Sequence, residues 1–181
     1  MNIPIPNILS IIRLALVPAF VVVFFSESPN AQLYAGLIFI LASLTDALDG
    51  FIARRFNMVT RLGRILDPLA DKLMTVSALL CVTVAGLIPA WIVVVFAVKE
   101  ALMGIGALIM YKRVDDVLPS NTLGKMATLA FIVSCVALML FSIPKPYSTV
   151  LLTIPLALTL IAFGRYAVLF YETIFAKRNK T

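Results

Sequence analysis

Apolar residues fill almost the whole chain in long runs, and short groups of turn-forming residues separate these runs. A run of about 20 apolar residues is long enough to cross a bilayer as a helix. Clusters of proline, glycine and serine mark where such helices end. The pattern therefore predicts an all-α fold, a polytopic membrane bundle of six transmembrane helices. The predicted helices cover residues 7–25, 31–56, 64–87, 89–111, 120–143 and 148–175.

The first nine residues differ from these runs, because Pro4 and Pro6 stand among isoleucines. We expect this short N-terminal segment, Met1 to Leu9, to lie along the membrane interface before the chain enters the bilayer. It has no basic start and no A-x-A-like site follows Phe25, so no cleaved signal peptide is expected. Because the predicted loops are all short, residues 1–181 are expected to form a single membrane domain.

The composition limits the possible chemistry. Hydrophobic residues make up 62% of the chain, charged residues 13%, and the mean hydropathy is +1.06, which excludes an ordinary water-soluble globule. The absence of histidine excludes a Ser-His-Asp triad and imidazole-bound metal. Cys81 and Cys135 lie inside apolar runs without C-x-x-C spacing, so we interpret them as small buried or lipid-facing hydrophobes.

Lysine and arginine are concentrated at one set of helix ends, whereas the opposite loops hold only Lys145 and Glu27. The net charge of +6 is therefore explained by orientation in the membrane, and no nucleic-acid partner is expected. The same distribution predicts that both termini are cytoplasmic. The basic residues on that side are Arg13, Arg54, Arg55, Arg61, Arg64, Lys72, Lys112, Arg113, Lys125, Lys177, Arg178 and Lys180.

Four aspartates stand where the second predicted helix leaves the membrane and the third enters it. Asp46 and Asp49 are three residues apart, and Asp67 and Asp71 are four apart, so each pair lies on one helix face. Four such charges are very unfavourable in an apolar bundle unless they are protonated or cations lie between them. Without histidine, an oxygen-only site favours magnesium, manganese or calcium. Helix capping or pairing with arginine is the alternative interpretation of these acids.

The acids are part of a longer pattern with glycine, alanine and arginine at fixed spacing. It reads Asp46-x2-Asp49-Gly50-x2-Ala53-Arg54-x8-Gly63-x3-Asp67-x3-Asp71. This pattern resembles the complete signature of the CDP-alcohol phosphatidyltransferase family. Two shorter matches make the chain most similar to the branch that makes phosphatidylglycerophosphate. They are Pro6-Asn7-Ile8-Leu9-Ser10-x2-Arg13 and Leu123-Gly124-Lys125-x2-Thr128.

The resemblance implies an enzyme that transfers the phosphatidyl group of CDP-diacylglycerol to glycerol 3-phosphate and releases CMP. It implies that Asp46, Asp49 and Asp67, with Asp71 beside them, form a site for two divalent cations, Mg²⁺ or Mn²⁺. Asp71 would also act as the general base that takes the proton of the acceptor hydroxyl. A homodimer in the plasma membrane, among membrane lipids and with a cytoplasmic active site, is implied as well.

Further roles follow from the same resemblance. Arg54 would hold a phosphate of CDP-diacylglycerol, and small residues would leave room for its nucleotide. The expected CDP-diacylglycerol residues are Asn7, Arg13, Gly50, Ala53, Arg54 and Gly63. The candidates for the acceptor phosphate are Arg61, Arg64, Lys125 and Arg165.

Two of the candidates for the acceptor phosphate have alternative roles that the sequence supports to the same degree. Lys125 and Arg165 could instead extend to the interface or pair with Glu100 or Glu172. The chain also departs from this branch of the family at Lys99-Glu100, where an Arg-Glu pair is usual. Lysine and arginine are not equivalent phosphate binders.

Two other functions remain open. A cardiolipin synthase would use phosphatidylglycerol as the acceptor. A divalent-cation transporter would place its acids near the middle of the bilayer, between discontinuous helices. Asp46 lies about 22 Å along its predicted helix from Ala31, close to the cytosolic end, which favours a catalytic cavity.

Gly36, Gly104 and Gly106 are expected to permit close packing of helices.

Overall fold

The computed structural model describes residues 5–56, 63–113 and 122–178, and every regular element in these ranges is an α-helix. The all-α prediction is confirmed, and each helix begins and ends within three residues of its predicted limits. The helices are α1 (Ile5–Phe24), α2 (Ala31–Arg55), α3 (Gly63–Val84), α4 (Ala90–Arg113), α5 (Thr122–Leu140) and α6 (Lys145–Arg178).

The start of α1 differs from the expectation of a separate interfacial segment. Ile5 to Leu9 form the first turns of α1, and residues 1–4 lie outside the described part of the chain. Pro6 is the second residue of the helix, where its missing N–H has no partner in the preceding turn. The helix can therefore begin two residues before its predicted start at Asn7.

The end of α3 shows why this helix is shorter than predicted. Gly86 has φ of +74°, a left-handed conformation that glycine adopts without a steric penalty. The Gly86 N–H donates to the Thr83 carbonyl, and the Leu87 N–H donates to the Val82 carbonyl, both at 2.9 Å. This pair of hydrogen bonds is the Schellman arrangement that ends helices. The regular part of α3 consequently stops at Val84 rather than at Leu87.

Four helices in the described residues, α1, α2, α5 and α6, are long and apolar enough to cross a membrane. The 24 residues of α4 also give it a spanning length of about 36 Å. Large apolar side chains are exposed on the outside, including Val22 and Val84 at 70% and 72%. Water would disfavour such a surface, whereas lipid tails accept it. The chain is therefore a multi-pass membrane protein.

The contacts divide the chain into two compact units. The first unit contains residues 1–87 and 135–143, and the second contains residues 88–134 and 144–181. In the first unit, α1 packs against both α2 and α3, and α2 also contacts α3. In the second unit, α4 packs against α6. Each unit is built around its own buried apolar side chains.

Aromatic and small residues set the packing of the first unit. The rings of Phe20 in α1 and Phe39 in α2 are both buried, and their centroids are 6.1 Å apart. A Cβ added at Gly36 would lie 3.3 Å from Met139 Cβ and from Leu140 Cδ2. The prediction of close packing at Gly36 is therefore confirmed, since the end of α5 approaches α2 so closely that a larger residue would require its neighbours to shift.

A stacked aromatic pair lies in the second unit. The rings of Phe96 in α4 and Phe131 in α5 have centroids 4.9 Å apart and an interplanar angle of 25°. The Lys99 ammonium lies 5.1 Å from the Phe96 centroid.

At Gly104 and Gly106, no described atom comes within 4 Å of an added Cβ. The close packing expected at these two glycines is thus not found among the described residues.

Candidate active site

One face of the otherwise apolar helix α1 is polar. Asn7, Ser10 and Arg13 follow one another at intervals of three residues, so they lie on the same side of the helix. Their exposed fractions are only 4%, 1% and 1%. Buried polar side chains require hydrogen-bonding partners. The partners of Ser10 and Arg13 are aspartates of the two neighbouring helices.

Arg13 joins the two acids of α2. Its Nη1 donates to Oδ1 of Asp46, and its Nη2 donates to Oδ2 of Asp49. A single guanidinium can reach both carboxylates because the two aspartates are three residues apart on one helix face. Asp49 is buried, with 2% of its surface exposed, whereas 43% of the Asp46 side chain is exposed. Asp46 therefore marks the open side of the site and Asp49 its interior.

Ser10 connects α1 to the first acid of α3. Its hydroxyl donates a hydrogen bond to Oδ1 of Asp67. The charges of Asp46 and Asp67 both act electrostatically on Asp49. Three aspartates from two helices are thus gathered against one face of a third helix. We refer to Asp46, Asp49 and Asp67, together with Arg13 and Ser10, as the acid cluster.

Asp71 follows Asp67 by four residues, one turn further along α3. It is partly exposed, and its backbone carbonyl accepts a hydrogen bond of 3.0 Å from the Thr75 hydroxyl. Pro68 has no N–H to donate to the carbonyl four residues before it. The first turns of α3 consequently carry fewer helical hydrogen bonds where the acids are located.

The other predicted residues of the first unit lie on the same two helices. Gly50 is half-buried and directly follows Asp49 in α2, and Gly63 is the buried first residue of α3. Ala53 and Arg54 belong to the last turns of α2, and Arg64 is the second residue of α3. The side chains of Ala53, Arg54 and Arg64 lie outside the described part of the structure, as does all of Arg61.

The remaining acceptor candidates belong to the second unit. Lys125 in α5 and Arg165 in α6 both have exposed side chains. Glu100, considered as a partner for them, forms an ion pair with its neighbour Lys99. Lys99 itself is 7% exposed. The structure therefore brings the acids, Ser10 and Arg13 together in one unit, and it groups Lys125 and Arg165 with the other.

The sequence pattern predicted no role for Ser10, and the family resemblance implied that Arg13 binds the lipid substrate. In the structure both residues contact aspartates. The sequence does contain a sign of these contacts, because a polar residue recurs every three positions from Asn7 to Arg13 in an otherwise apolar helix. A polar face of this kind indicates partners on neighbouring helices.

The donor atoms of the acid cluster suit a hard divalent cation. Asp46, Asp49 and Asp67 offer only carboxylate oxygens, which are the ligands that Mg²⁺ and Mn²⁺ prefer. Within the described residues, however, no three acidic or thiol side chains are arranged as ligands of one ion. Arg13 holds two of the carboxylates instead, and its buried Nε has no hydrogen-bonding partner in the part of the chain that the structure describes. The residue types fit the metal, whereas the guanidinium provides the positive charge in this arrangement.

Apolar helices with carboxylates gathered inside them define a multi-pass membrane protein with an acidic polar site. The family model for CDP-alcohol phosphatidyltransferase matches residues 3–162, and the chain belongs to this family of membrane enzymes. The resemblance inferred from the aspartate pattern is thereby confirmed, and so is the assignment as a phosphatidyltransferase. The alternative of a divalent-cation transporter finds no support in this membership.

Individual relatives carry two different names. The chain is 37% identical to a CDP-diacylglycerol–glycerol-3-phosphate 3-phosphatidyltransferase of Bacillus subtilis, over 77% of this chain and 78% of the relative. It is 49% identical to a Rickettsia bellii protein of the same name, over 38% of each chain. It is also 38% identical to a CMP-forming cardiolipin synthase of Streptomyces coelicolor, over 68% of this chain and 59% of the relative.

Proposed function

We propose that the protein transfers the phosphatidyl group of CDP-diacylglycerol to glycerol 3-phosphate, forming phosphatidylglycerophosphate and CMP with the help of divalent cations. The observation that carries this proposal is the convergence of Asp46, Asp49 and Asp67 on the polar face of α1. The name of the Bacillus subtilis relative supports the choice of acceptor.

The acid cluster is the proposed metal site. Asp46, Asp49 and Asp67 would hold Mg²⁺ or Mn²⁺ through their carboxylate oxygens, with Asp71 next to them on α3. The bound cations would supply positive charge against the diphosphate of the donor and against the charge that develops on CMP. The partial exposure of Asp46 gives the donor headgroup an open side from which to approach Asp49.

Asp71 is the proposed general base. Its carboxylate takes the proton of an acceptor hydroxyl while that oxygen attacks the phosphorus that carries diacylglycerol. A new P–O bond forms to the acceptor, and the P–O bond to CMP breaks, so CMP leaves with the electron pair. Arg54, one turn beyond Gly50 on α2, is proposed to hold a phosphate of the donor during this step.

The orientation of the protein is part of the proposal. Lysine and arginine are concentrated at the helix ends where the aspartates stand, and such ends face the cytoplasm in multi-pass proteins. We place the active site at the inner surface of the plasma membrane. There the acyl chains of the donor can stay in lipid while its water-soluble acceptor arrives from the cytoplasm.

A second candidate differs only in the acceptor. The Streptomyces coelicolor relative is named a cardiolipin synthase. This name favours phosphatidylglycerol as the acceptor. In this case phosphatidylglycerol would attack the donor and the product would be cardiolipin.

An acceptor assay separates the two candidates. Purified protein in detergent micelles is incubated with CDP-diacylglycerol labelled in the diacylglycerol part, with Mg²⁺ and with one acceptor at a time. We expect CMP release and labelled phosphatidylglycerophosphate with glycerol 3-phosphate, and no product with phosphatidylglycerol. Cardiolipin as the only product would select the second candidate. If neither acceptor releases CMP, both proposals are contradicted.

A further inference from the structure

Arg13 occupies an unusual position for a cation in a membrane helix. Only 1% of its surface is exposed, and it comes from α1, whereas both of its acidic partners belong to α2. Arginine binds most strongly when both arms of its fork contact one carboxylate. Here the two arms contact different carboxylates, and none of the described residues accepts a hydrogen bond from Nε. The contact neutralises charge, but it does not use the full hydrogen-bonding capacity of the guanidinium.

The charges of the acid cluster are not balanced. Three carboxylates face one guanidinium, and the hydroxyl of Ser10 adds a hydrogen bond to Asp67 but no charge. These groups together carry a formal charge of −2. Uncompensated charge in an apolar bundle is strongly unfavourable. This negative charge favours the binding of a divalent cation, and among the described side chains of the cluster the charge of Arg13 opposes its approach.

The oxygens bound to Arg13 are among those that a cation would need. Oδ1 of Asp46 and Oδ2 of Asp49 accept hydrogen bonds from the guanidinium. A divalent cation and a guanidinium cannot share these oxygens at close range, because like charges a few ångströms apart repel strongly in a site of low dielectric constant. Binding of the metal through these two oxygens therefore requires that at least one of the two contacts opens.

We propose that Arg13 is a positioning residue that holds Asp46 and Asp49 together in the metal-free protein and is displaced when the metal binds. This inference rests on the proposed metal dependence, and it gives the buried arginine a task distinct from that of a substrate ligand. Arg13 offsets the charge of Asp46 and Asp49, so that repulsion between these acids of α2 and Asp67 of α3 does not separate the two helices before the cation arrives. It also weakens metal binding, because it competes for the same oxygens.

Removal of Arg13 should therefore have two opposite effects. Arg13→Gln should lower the melting temperature of the metal-free protein, since the buried acids lose their counter-charge. The same variant should bind Mn²⁺ at least about tenfold more tightly, because a competing positive charge has been removed. Arg13→Lys keeps the charge but cannot contact both carboxylates with one fork, so it should lie between the wild type and Arg13→Gln in both measurements.

The test measures Mn²⁺ binding directly and without turnover. Purified full-length protein in detergent is titrated with Mn²⁺, and the free ion is followed by its paramagnetic resonance signal. The melting temperature is measured in parallel in chelator and in Mn²⁺. Lys145→Gln is the matched control, because it removes one exposed positive charge at the start of α6. This control should change neither the Mn²⁺ affinity nor the metal-free melting temperature.

Each result has a defined meaning. Tighter Mn²⁺ binding with a lower metal-free melting temperature for Arg13→Gln supports the inference. Recovery of a poorly folded Arg13→Gln protein by Mn²⁺ supports it equally. Unchanged or weaker Mn²⁺ binding by Arg13→Gln or Arg13→Lys overturns it, and so does a failure of both variants to fold even with Mn²⁺. If the wild type binds no Mn²⁺, the proposed metal site fails together with this inference. If only the Arg13 effects are missing, the metal site stands.

Discussion

Arg13 in the first unit and Lys99 in the second are both buried cations within helices, but they obtain their partners differently. Arg13 contacts Asp46 and Asp49, more than 30 residues away on another helix. Lys99 contacts Glu100, its neighbour in the chain, and also lies over the ring of Phe96. Arg13 links α1 to α2 through acids that can also interact with an additional positive charge. Lys99 is paired with an acid from its own helix.

This difference indicates which buried charges are available to a ligand. In the pair of Lys99 and Glu100, one positive charge meets one negative charge, and the aromatic ring adds a further favourable contact for the cation. In the acid cluster, Arg13 contacts two carboxylates, and the third accepts a hydrogen bond from the uncharged side chain of Ser10. Among these described side chains the negative charges outnumber the positive ones, which is costly for folding alone and favours a bound cation. The acid cluster therefore carries the proposed chemistry.

The largest effect is expected from the acid cluster itself. Asp49→Asn should lower CMP release by about 10³-fold, because the buried carboxylate that supports the metal is lost. The same variant should also lose Mn²⁺ binding in the resonance assay. Glu27→Gln is the matched control, since it removes an exposed acid from the same unit. Full activity of Asp49→Asn would remove the acid cluster from the active site.

A loss of rate without a loss of binding is expected at Asp71. Asp71→Asn should lower CMP release by about 10³-fold, because asparagine cannot take the proton of the acceptor. The binding of CDP-diacylglycerol, measured by equilibrium dialysis of labelled donor in micelles, should stay within about twofold of the wild type, since a general base contributes to the reaction step and not to donor binding. Loss of donor binding would show that Asp71 is a ligand rather than the base.

The charge pair of the second unit should affect stability and not metal binding. Lys99→Met leaves Glu100 partly buried beside an apolar residue and should destabilise the protein by about 3 kcal/mol, seen as a lower melting temperature. The double variant Lys99→Met with Glu100→Gln should regain most of that loss, because the carboxylate that lost its contact with Lys99 is removed as well. Neither variant should change the affinity for Mn²⁺. A change in that affinity would mean that the two charge groups are coupled.

The smallest effect is expected from a change that touches neither charge group. Gly86→Ala places a Cβ in the left-handed conformation that ends α3 and should cost about 1 kcal/mol. Thermal unfolding in detergent measures this loss, and Mn²⁺ affinity should stay unchanged. A loss of metal binding in this variant would show that the end of α3 affects the acids at its start.

Much of the helix arrangement could be predicted from the sequence, because apolar runs and turn residues act locally. The limits of α2 were predicted within one residue, since Pro29 and Asn30 precede the helix and polar residues follow it. The end of α3 was less accurate, because the hydrogen bonds around Gly86 depend on its backbone conformation rather than on apolar character. Local patterns indicate where helices exist better than how each one ends.

The candidate site was only partly accessible from the sequence. The spacing within two pairs, Asp46 with Asp49 and Asp67 with Asp71, singled out the acids, because helical periodicity relates residues within one turn. The contacts of Ser10 and Arg13 with them could not be derived in this way. Such contacts depend on the rotation and register of α1 against α2 and α3, which the packing of side chains such as Phe20 and Phe39 sets. These interhelical relations are properties of the folded protein.

The most direct test of this account is the dependence of CMP release on free Mg²⁺. Wild-type protein is supplied with CDP-diacylglycerol and glycerol 3-phosphate, and the free metal is raised from chelator to millimolar concentration. We expect no CMP in chelator and a saturable rise in CMP release as the metal is added. An undiminished rate in chelator, with Mn²⁺ and Mg²⁺ both removed, would contradict it.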